Sequence, residues 1–352
     1  MKVAIIGAGA AAFALAVILK RDGHAPVIWS PSGRSAAELL RGRPIVAAGV
    51  IEGEFSVPAV PECKDAVAGA QAVVFALPAM GHRPAMDAVA PHLAPGQTVI
   101  VSSHASFGAL YLDRLLAGRG VALPIVAWST TLLRSRQPDL ATCRIATVRR
   151  KVDMAVLPVA MSETGLGLCR DLFGDRFNLR SDLLAVSLSN VNPQGHMALA
   201  LCNFTRMELG ETWDQNTYST AAVERLSNAV DAERMALAAA FGVDVRTAQE
   251  HSLHTHGSAG TGAARVPTFG PATIQTRYTL EDVPYGLVPA VRLGRLADVR
   301  LPLHEAGIHV FSALYGYDMA STNDLLEGIV SGSPASFHRL CRDGFERVPG
   351  RR

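Results

Sequence analysis

Cysteine is sparse in this 352-residue chain and poorly placed for cross-linking. The five, Cys63, Cys143, Cys169, Cys202 and Cys341, are odd in number, and no two stand at CxxC spacing. That speaks against a disulfide framework and a zinc site, so no metal is expected and a reducing compartment, the cytoplasm, fits best. Charge is also thin. Only 18% of residues are Asp, Glu, Lys or Arg, the net charge is +2, and no basic block is interleaved with aromatics. The sequence therefore gives no case for a nucleic-acid partner. Lysine is nearly missing. Its positions are Lys2, Lys20, Lys64 and Lys151, so a lysine proton donor in the second half is disfavoured unless Lys151 at its border serves.

What is present is apolar. Hydrophobic residues make up 49% of the chain, enough for large buried cores, and at roughly 100–200 residues per domain two domains are expected. Val3 to Leu19 is an almost unbroken apolar run that could pass for a signal peptide or membrane helix. Gly7 and Gly9 inside it stand at nucleotide-fingerprint spacing, and a polar turn, Lys20 to His24, and a second strand-like run follow. Nothing else resembles a membrane span, so no membrane partner is expected.

Strand-like runs at Lys2–Ile6, Val27–Trp29, Ala72–Leu77, Thr98–Ser102 and Ile125–Trp128 alternate with helical patterns at Ala10–Arg21, Arg34–Arg41, His82–Ala90 and Phe107–Ala117. This rhythm predicts a doubly wound parallel sheet, with Val152–Pro158 as a further closing strand. Beyond Arg180 helical patterns dominate, as at Ala221–Phe241, capped by Gly242, and at His304–Tyr315. His254–Pro271 reads as a loop or lid, and Arg347–Arg352 as a frayed solvated tail. The expected architecture is an α/β Rossmann domain over 1–180 and an all-α substrate and catalytic domain over 181–352.

Gly7-Ala-Gly9-Ala10-Ala11-Ala12 reads as GxGxxA between a strand and a helix. Gly7 permits the tight turn, Gly9 a close approach to a pyrophosphate, and Ala12 close helix packing. The pyrophosphate would sit at the helix N-terminus. After the second strand, where NAD-preferring domains carry an acid, stands Trp29-Ser30-Pro31-Ser32-Gly33-Arg34. Ser30 and Arg34 can hold a 2′-phosphate, so NADP is expected over NAD. Pro78 lies where the chain would pass beneath the nicotinamide riboside.

In the second half, Asn192-Pro193 starts a helix with Asn192 as N-cap, and His196 lies one turn in. Imidazole exchanges a proton near neutral pH, which makes His196 the candidate acid–base. A second cluster runs Arg277-Tyr-Thr-Leu-Glu-Asp282-Val-Pro-Tyr-Gly-Leu-Val-Pro289. Arg277 could clamp a carboxylate and Asp282 could hold the His196 imidazole. From spacing alone, a surface Arg–Asp pair plus a turn is the favoured reading.

These segments resemble the opine dehydrogenase family, which includes octopine and nopaline dehydrogenases. The resemblance rests on GxGxxA, on Asn192-Pro193-x-x-His196, on the Arg277–Pro289 motif, and on Leu314–Tyr317 followed by Leu325–Gly328. It implies NAD(P)H-dependent condensation of an amino acid with a 2-oxo acid such as pyruvate to a secondary-amine dicarboxylate, and the reverse. It also implies that His196 works with Asp282 and that Arg277 contacts substrate, with Asn192 beside them. Members acting on basic amino acids tend to carry a glutamate just after the strand matching Ile125–Trp128. Here Ser129-Thr-Thr follows, which points to a neutral or apolar amine donor. Two other readings stay open: an oxo- or hydroxy-acid dehydrogenase acting without an amine, and a non-catalytic nucleotide sensor. A homodimer is left open.

Overall fold

The computed structural model describes residues 1–104, 106–256 and 268–347. The strands in chain order are β1 (Lys2–Ile6), β2 (Ala25–Trp29), β3 (Ile45–Gly49), β4 (Gly53–Phe55), β5 (Ala72–Phe75), β6 (Thr98–Val101), β7 (Ile125–Trp128), β8 (Leu133–Arg136), β9 (Thr142–Val148), β10 (Val152–Leu157) and β11 (Phe177–Leu179). Seven of them form one sheet in the order β11-β10-β7-β6-β5-β1-β2. Strands β2 through β7 of this sheet run parallel, and their sequences are the continuous apolar runs that a sheet covered on both faces requires. The closing strand β10 meets β7 antiparallel, and β11 lies beyond it.

The register makes the site possible. Ile6 pairs with Trp29 and Phe75, Phe75 with Val101, and Val101 with Ala127. The carboxyl ends of five parallel strands thus finish close to one level, and the chain leaves them at Gly7, Ser30, Ala76, Ser102 and Ser129. Ligands of open α/β sheets bind at such a crest.

A second sheet, in the order β4-β3-β9-β8, was not foreseen from the sequence. It explains the run that resembled a targeting segment. The helix Ala10–Arg21 packs on β1 and β2 and also on β3, β8 and β9, so Ala12 through Leu19 are all buried. An amphipathic stripe serves a helix with one wet face, and this helix has none along that stretch. Fully burying one Leu or Ile contributes roughly 1.5–3 kcal/mol, so this helix is a large part of the core.

Several sequence boundaries move by a residue or two. Strand β2 starts at Ala25, β5 stops at Phe75 and β6 at Val101, while the expected helix Arg34–Arg41 opens as a 3-10 turn over Arg34–Ala36 before Ala37–Leu40. The first compact unit comprises Met1–Val186 together with Arg339–Arg352, and the second is Ser187–His338. The sequence reading placed the change at 180 and kept the C-terminal residues with the helices. The expected frayed tail needs correction at its start: the half-buried Arg347 donates to the fully buried Asp113 at 2.6 Å. Residues 348–352 lie outside the described residues.

In the second unit, the described residues carry helices, among them Asn192–Cys202, Ala221–Ala240, Val288–Leu296 and Pro302–Tyr315, and an isolated bridge between Asp214 and Phe269. Gly242, at φ 66°, follows the end of the long helix as expected. The expected loop over 254–271 begins later than anticipated, because a helix runs from Ala248 to His256. Its span 257–267 lies outside the described residues. No helix among the described residues is long and apolar enough to cross a membrane.

Candidate active site

The crest of the first unit is shaped for a dinucleotide. Gly7 has φ 122°, and a Cβ there would lie 2.6 Å from the Ala76 carbonyl oxygen, so no other residue fits the turn. Gly9 is the opposite case. It is the N-cap of helix Ala10–Arg21, it offers no side-chain cap, and a Cβ built on it would meet nothing within 4 Å. The helix N-terminus thus has no side-chain cap and open space beside Gly9, which suits a pyrophosphate. Ala10 and Ala11 are half-buried, while Ala12 is fully buried against the sheet. The second sheet fastens this loop: Ser135 Oγ donates to the Ala10 carbonyl at 2.9 Å, and Gln137 Nε2 to that of Ala8 at 3.2 Å. The sequence reading had no signal for either residue, because both depend on strands it did not foresee.

Directly after β2, Ser30 accepts from the Gly33 amide through its backbone carbonyl, closing a turn that presents Arg34. Arg34 is exposed, and its guanidinium makes no hydrogen bond or ion pair with the described residues. The nearest acid along the chain, Glu38, is engaged by Arg41 and Arg43. Pro78 caps the short turn Ala79–Gly81 after β5 and is exposed. These residues fit NAD(P).

The second unit holds the catalytic candidates. Pro193 lies in the first turn of helix Asn192–Cys202, as expected, but Asn192 is not its cap. The cap is Val191, and Asn190 Oδ1 accepts the Asn192 amide at 3.0 Å. That corrects the reading and leaves the half-buried Asn192 side chain without a protein partner among the described residues. It sits four positions before His196, hence on the same helix face.

His196 Nδ1 lies 2.7 Å from Asp282 Oδ2, with the two side chains 19% and 8% exposed. Asp282 stands immediately before a single π-helical turn, Val283–Leu287. Gly286 in that turn packs so closely on Pro193 that a Cβ would come within 2.5 Å of its Cγ, which holds the two segments together. Tyr278 stacks on the imidazole with centroids 3.7 Å apart and planes 8° apart. Its hydroxyl accepts from Gln215 Nε2 at 2.6 Å. Tyr278 stands inside the Arg277–Pro289 motif, where its residue type alone assigns it no role, and Gln215 carries no sequence signal.

Burial lowers the His196 pKa below its ordinary 6.5, and the Arg277 charge adds to this, while Asp282 works in the other direction. The surrounding protein opposes the charge on Arg277 itself, but Asp282, Glu281 and Tyr278 outweigh it and hold the guanidinium firmly cationic. Arg277 is exposed and pairs with no acid among the described residues. The site therefore combines a histidine oriented by a carboxylate, an unpaired cation and an unpaired amide. Behind it, Gln194 Nε2 meets His304 Nε2 at 3.3 Å and His304 Nδ1 meets Glu233 at 2.7 Å, a buried chain that anchors the same helix.

Comparison with known proteins agrees with this geometry. Residues 179–315 match the family model described as NAD/NADP octopine/nopaline dehydrogenase, alpha-helical domain. Residues 2–105 match NAD-dependent glycerol-3-phosphate dehydrogenase N-terminus. The chain is 28% identical to an opine dehydrogenase of Arthrobacter sp. (strain 1C), covering 95% of this chain and 96% of the relative. It is 25% identical to a vitopine synthase of Allorhizobium ampelinum, over 92% and 95%. A structure of octopine dehydrogenase with NADH and pyruvate shares the fold at a TM-score of 0.72 and 16% identity, over 97% and 96%. The fingerprint crest lies in one unit and the His196–Asp282 pair inside the matched helical domain of the other, and the chain is similar to opine dehydrogenases along most of its length.

Proposed function

We propose that this chain is an opine-type dehydrogenase that condenses the amine of a neutral or apolar amino acid with a 2-oxo acid, with NADP preferred over NAD, and catalyses the reverse oxidation. The observation that carries this reading is the 2.7 Å bond between His196 and Asp282 beside the unpaired Arg277.

The chemistry suits these groups. Near neutral pH the buried imidazole is mostly neutral, its Nδ1–H donated to Asp282 and its Nε2 lone pair free. Nε2 takes a proton from the ammonium of the amino acid, and the released amine attacks the 2-oxo carbon. The imidazolium, held by Asp282, returns that proton to the carbinolamine hydroxyl, which leaves as water and gives the imine. Arg277 binds a carboxylate and fixes the imine carbon for reduction, with Asn192 as a second polar contact. The bound dinucleotide supplies the hydride. The balance is amine, oxo acid, NAD(P)H and a proton giving secondary amine, NAD(P)+ and water.

Two observations support the finer points. Ser129 and Thr130, both buried, follow β7 and offer no counter-ion for a cationic donor. Ser30 and Arg34 follow β2 with no acid to repel a 2′-phosphate. Free thiols at the described cysteines are in keeping with work in the cytoplasm.

The test is a screen of NADPH oxidation crossing amino acids with pyruvate, glyoxylate and 2-oxoglutarate, with the amine omitted as control. Oxidation that requires a neutral amino acid and yields a secondary-amine dicarboxylate is the expected result. Equal oxidation without any amine would replace the proposal by simple oxo-acid reduction, and none in any combination would leave a nucleotide sensor.

A further inference from the structure

We infer that Tyr278, held by Gln215, is a positioning residue that fixes the plane of the His196 imidazole and stabilises its protonated form through the face of the phenol ring. The inference rests on the reading of His196 as the acid–base group.

One hydrogen bond does not define a ring. The bond from Nδ1 to Asp282 leaves the imidazole free to turn about that axis, and the direction of Nε2 with it. A flat neighbour at 3.7 Å and 8° removes that freedom. The neighbour is itself fixed at two points. The Tyr278 hydroxyl receives the Gln215 amide, and its backbone N–H meets Thr276 Oγ1. Gln215 in turn is tied through its own N–H to the Thr268 carbonyl at 2.8 Å.

The stacking geometry also carries charge information. Two neutral aromatic rings favour offset or edge-to-face arrangements, because their π-faces repel. A cation over a π-face is attracted within about 6 Å of the centroid. The parallel stack at His196 is thus worth most when the imidazole holds its second proton, which is the form that must donate in the dehydration step. The other charged groups about the ring are Asp282 and Arg277, of opposite effect. From the helices Ala221–Ala240 and Pro302–Tyr315, Glu233 and His304 pair with each other and reach the His196 helix at Gln194. Glu281 bears on Arg277.

The test reads the His196 titration directly, by NMR of protein labelled at histidine Cε1, with the resonance assigned through His196→Gln. Tyr278→Phe keeps the ring and is expected to leave the midpoint in place. Tyr278→Leu is expected to lower it by about 0.5 pH, the size of a modest cation–π contact. Pentafluorophenylalanine at 278 preserves the shape while cancelling the negative face, so it is expected to act as Leu does even if Tyr278→Leu does not fold. A midpoint unmoved by both replacements, or moved as far by Phe as by Leu, overturns the inference. This readout needs no turnover, so failure of the substrate screen with an intact titration series would remove the proposed reaction and leave the Tyr278 contact standing.

Discussion

A bond of 2.7 Å joins His196 to a carboxylate 86 positions away, and its removal has a calculable consequence. His196→Ala is expected to lower turnover by about 100-fold or more, as loss of a general acid–base group does, with dinucleotide binding intact. Steady-state rates beside a cofactor titration check this. Asp282→Asn is expected to cost on the order of 10³- to 10⁴-fold, because an amide that donates to Nδ1 moves the imidazole proton to Nε2 and blocks the base. The pH profile follows from the same pair. In the oxidising direction His196 must begin neutral, so kcat/KM rises with pH through a midpoint below 6.5. Asp282 is the group that supports the proton, so Asp282→Asn lowers that midpoint further. At the crest, Arg34→Ala is expected to raise the KM for NADPH about tenfold while leaving that for NADH unchanged, since an exposed charge-assisted contact is worth little more. Equal changes for both cofactors would make Arg34 a mere surface residue. These residues were legible because chemistry restricts their types: a histidine behind Asn-Pro, an acid and an arginine in one motif, a missing acid after β2. Tyr278, Gln215, Ser135 and Gln137 were not, because a stacking face or a backbone prop can come from many residue types.

Among the elements, the parallel strands and the helix Ala10–Arg21 were readable because burial on every side writes itself as uninterrupted apolar sequence. Strands β3, β4, β8 and β9 are short, mix exposed with buried positions, and pair across long separations, so local pattern does not reveal them. The π-helical turn Val283–Leu287 was equally hidden, although the motif spelled its residues. Its purpose is visible in space: Gly286 lets the turn press on Pro193, and this brings Asp282 to His196. Gly286→Ala would place a methyl 2.5 Å from Pro193 Cγ and 2.7 Å from its Cβ. Overpacking of this kind costs about 1–3 kcal/mol, measurable by urea unfolding. The separation of the two segments should also reduce kcat at least tenfold, because a displacement of about an ångström between reacting groups has effects of that order. Full activity in a destabilised variant would mean that the turn packs without positioning.

On the scale of the whole molecule, the chain leaves the first compact unit after Val186 and rejoins it at Arg339. The return is secured by an acid on the helix Gly108–Gly118. Fully buried Asp113 accepts from Arg347 at 2.6 Å and from the Phe345 amide at 2.7 Å, and a Cβ on Gly344 would strike its Oδ2 at 2.5 Å. Gly344, Phe345 and Arg347, the last of these the first residue of the segment that composition alone would call solvated, are therefore part of the dinucleotide-binding unit's own fold. Asp113→Ala would leave a partly buried guanidinium and a backbone amide without their acceptor. Breaking a buried pair costs about 3–5 kcal/mol, and the partial exposure of Arg347 reduces this to about 2. Two observables should move together: a lower Tm, and faster proteolytic cleavage within 339–347. Asp113→Asn keeps an acceptor oxygen for one of the two donors and should fall between. If the tail were incidental, deleting the residues after Arg339 would leave the Tm of the enzyme unchanged. The contacts at Asp113 require instead that this truncation destabilise the unit at least as much as Asp113→Ala does, since it removes the same bonds and the apolar packing of Cys341 with them.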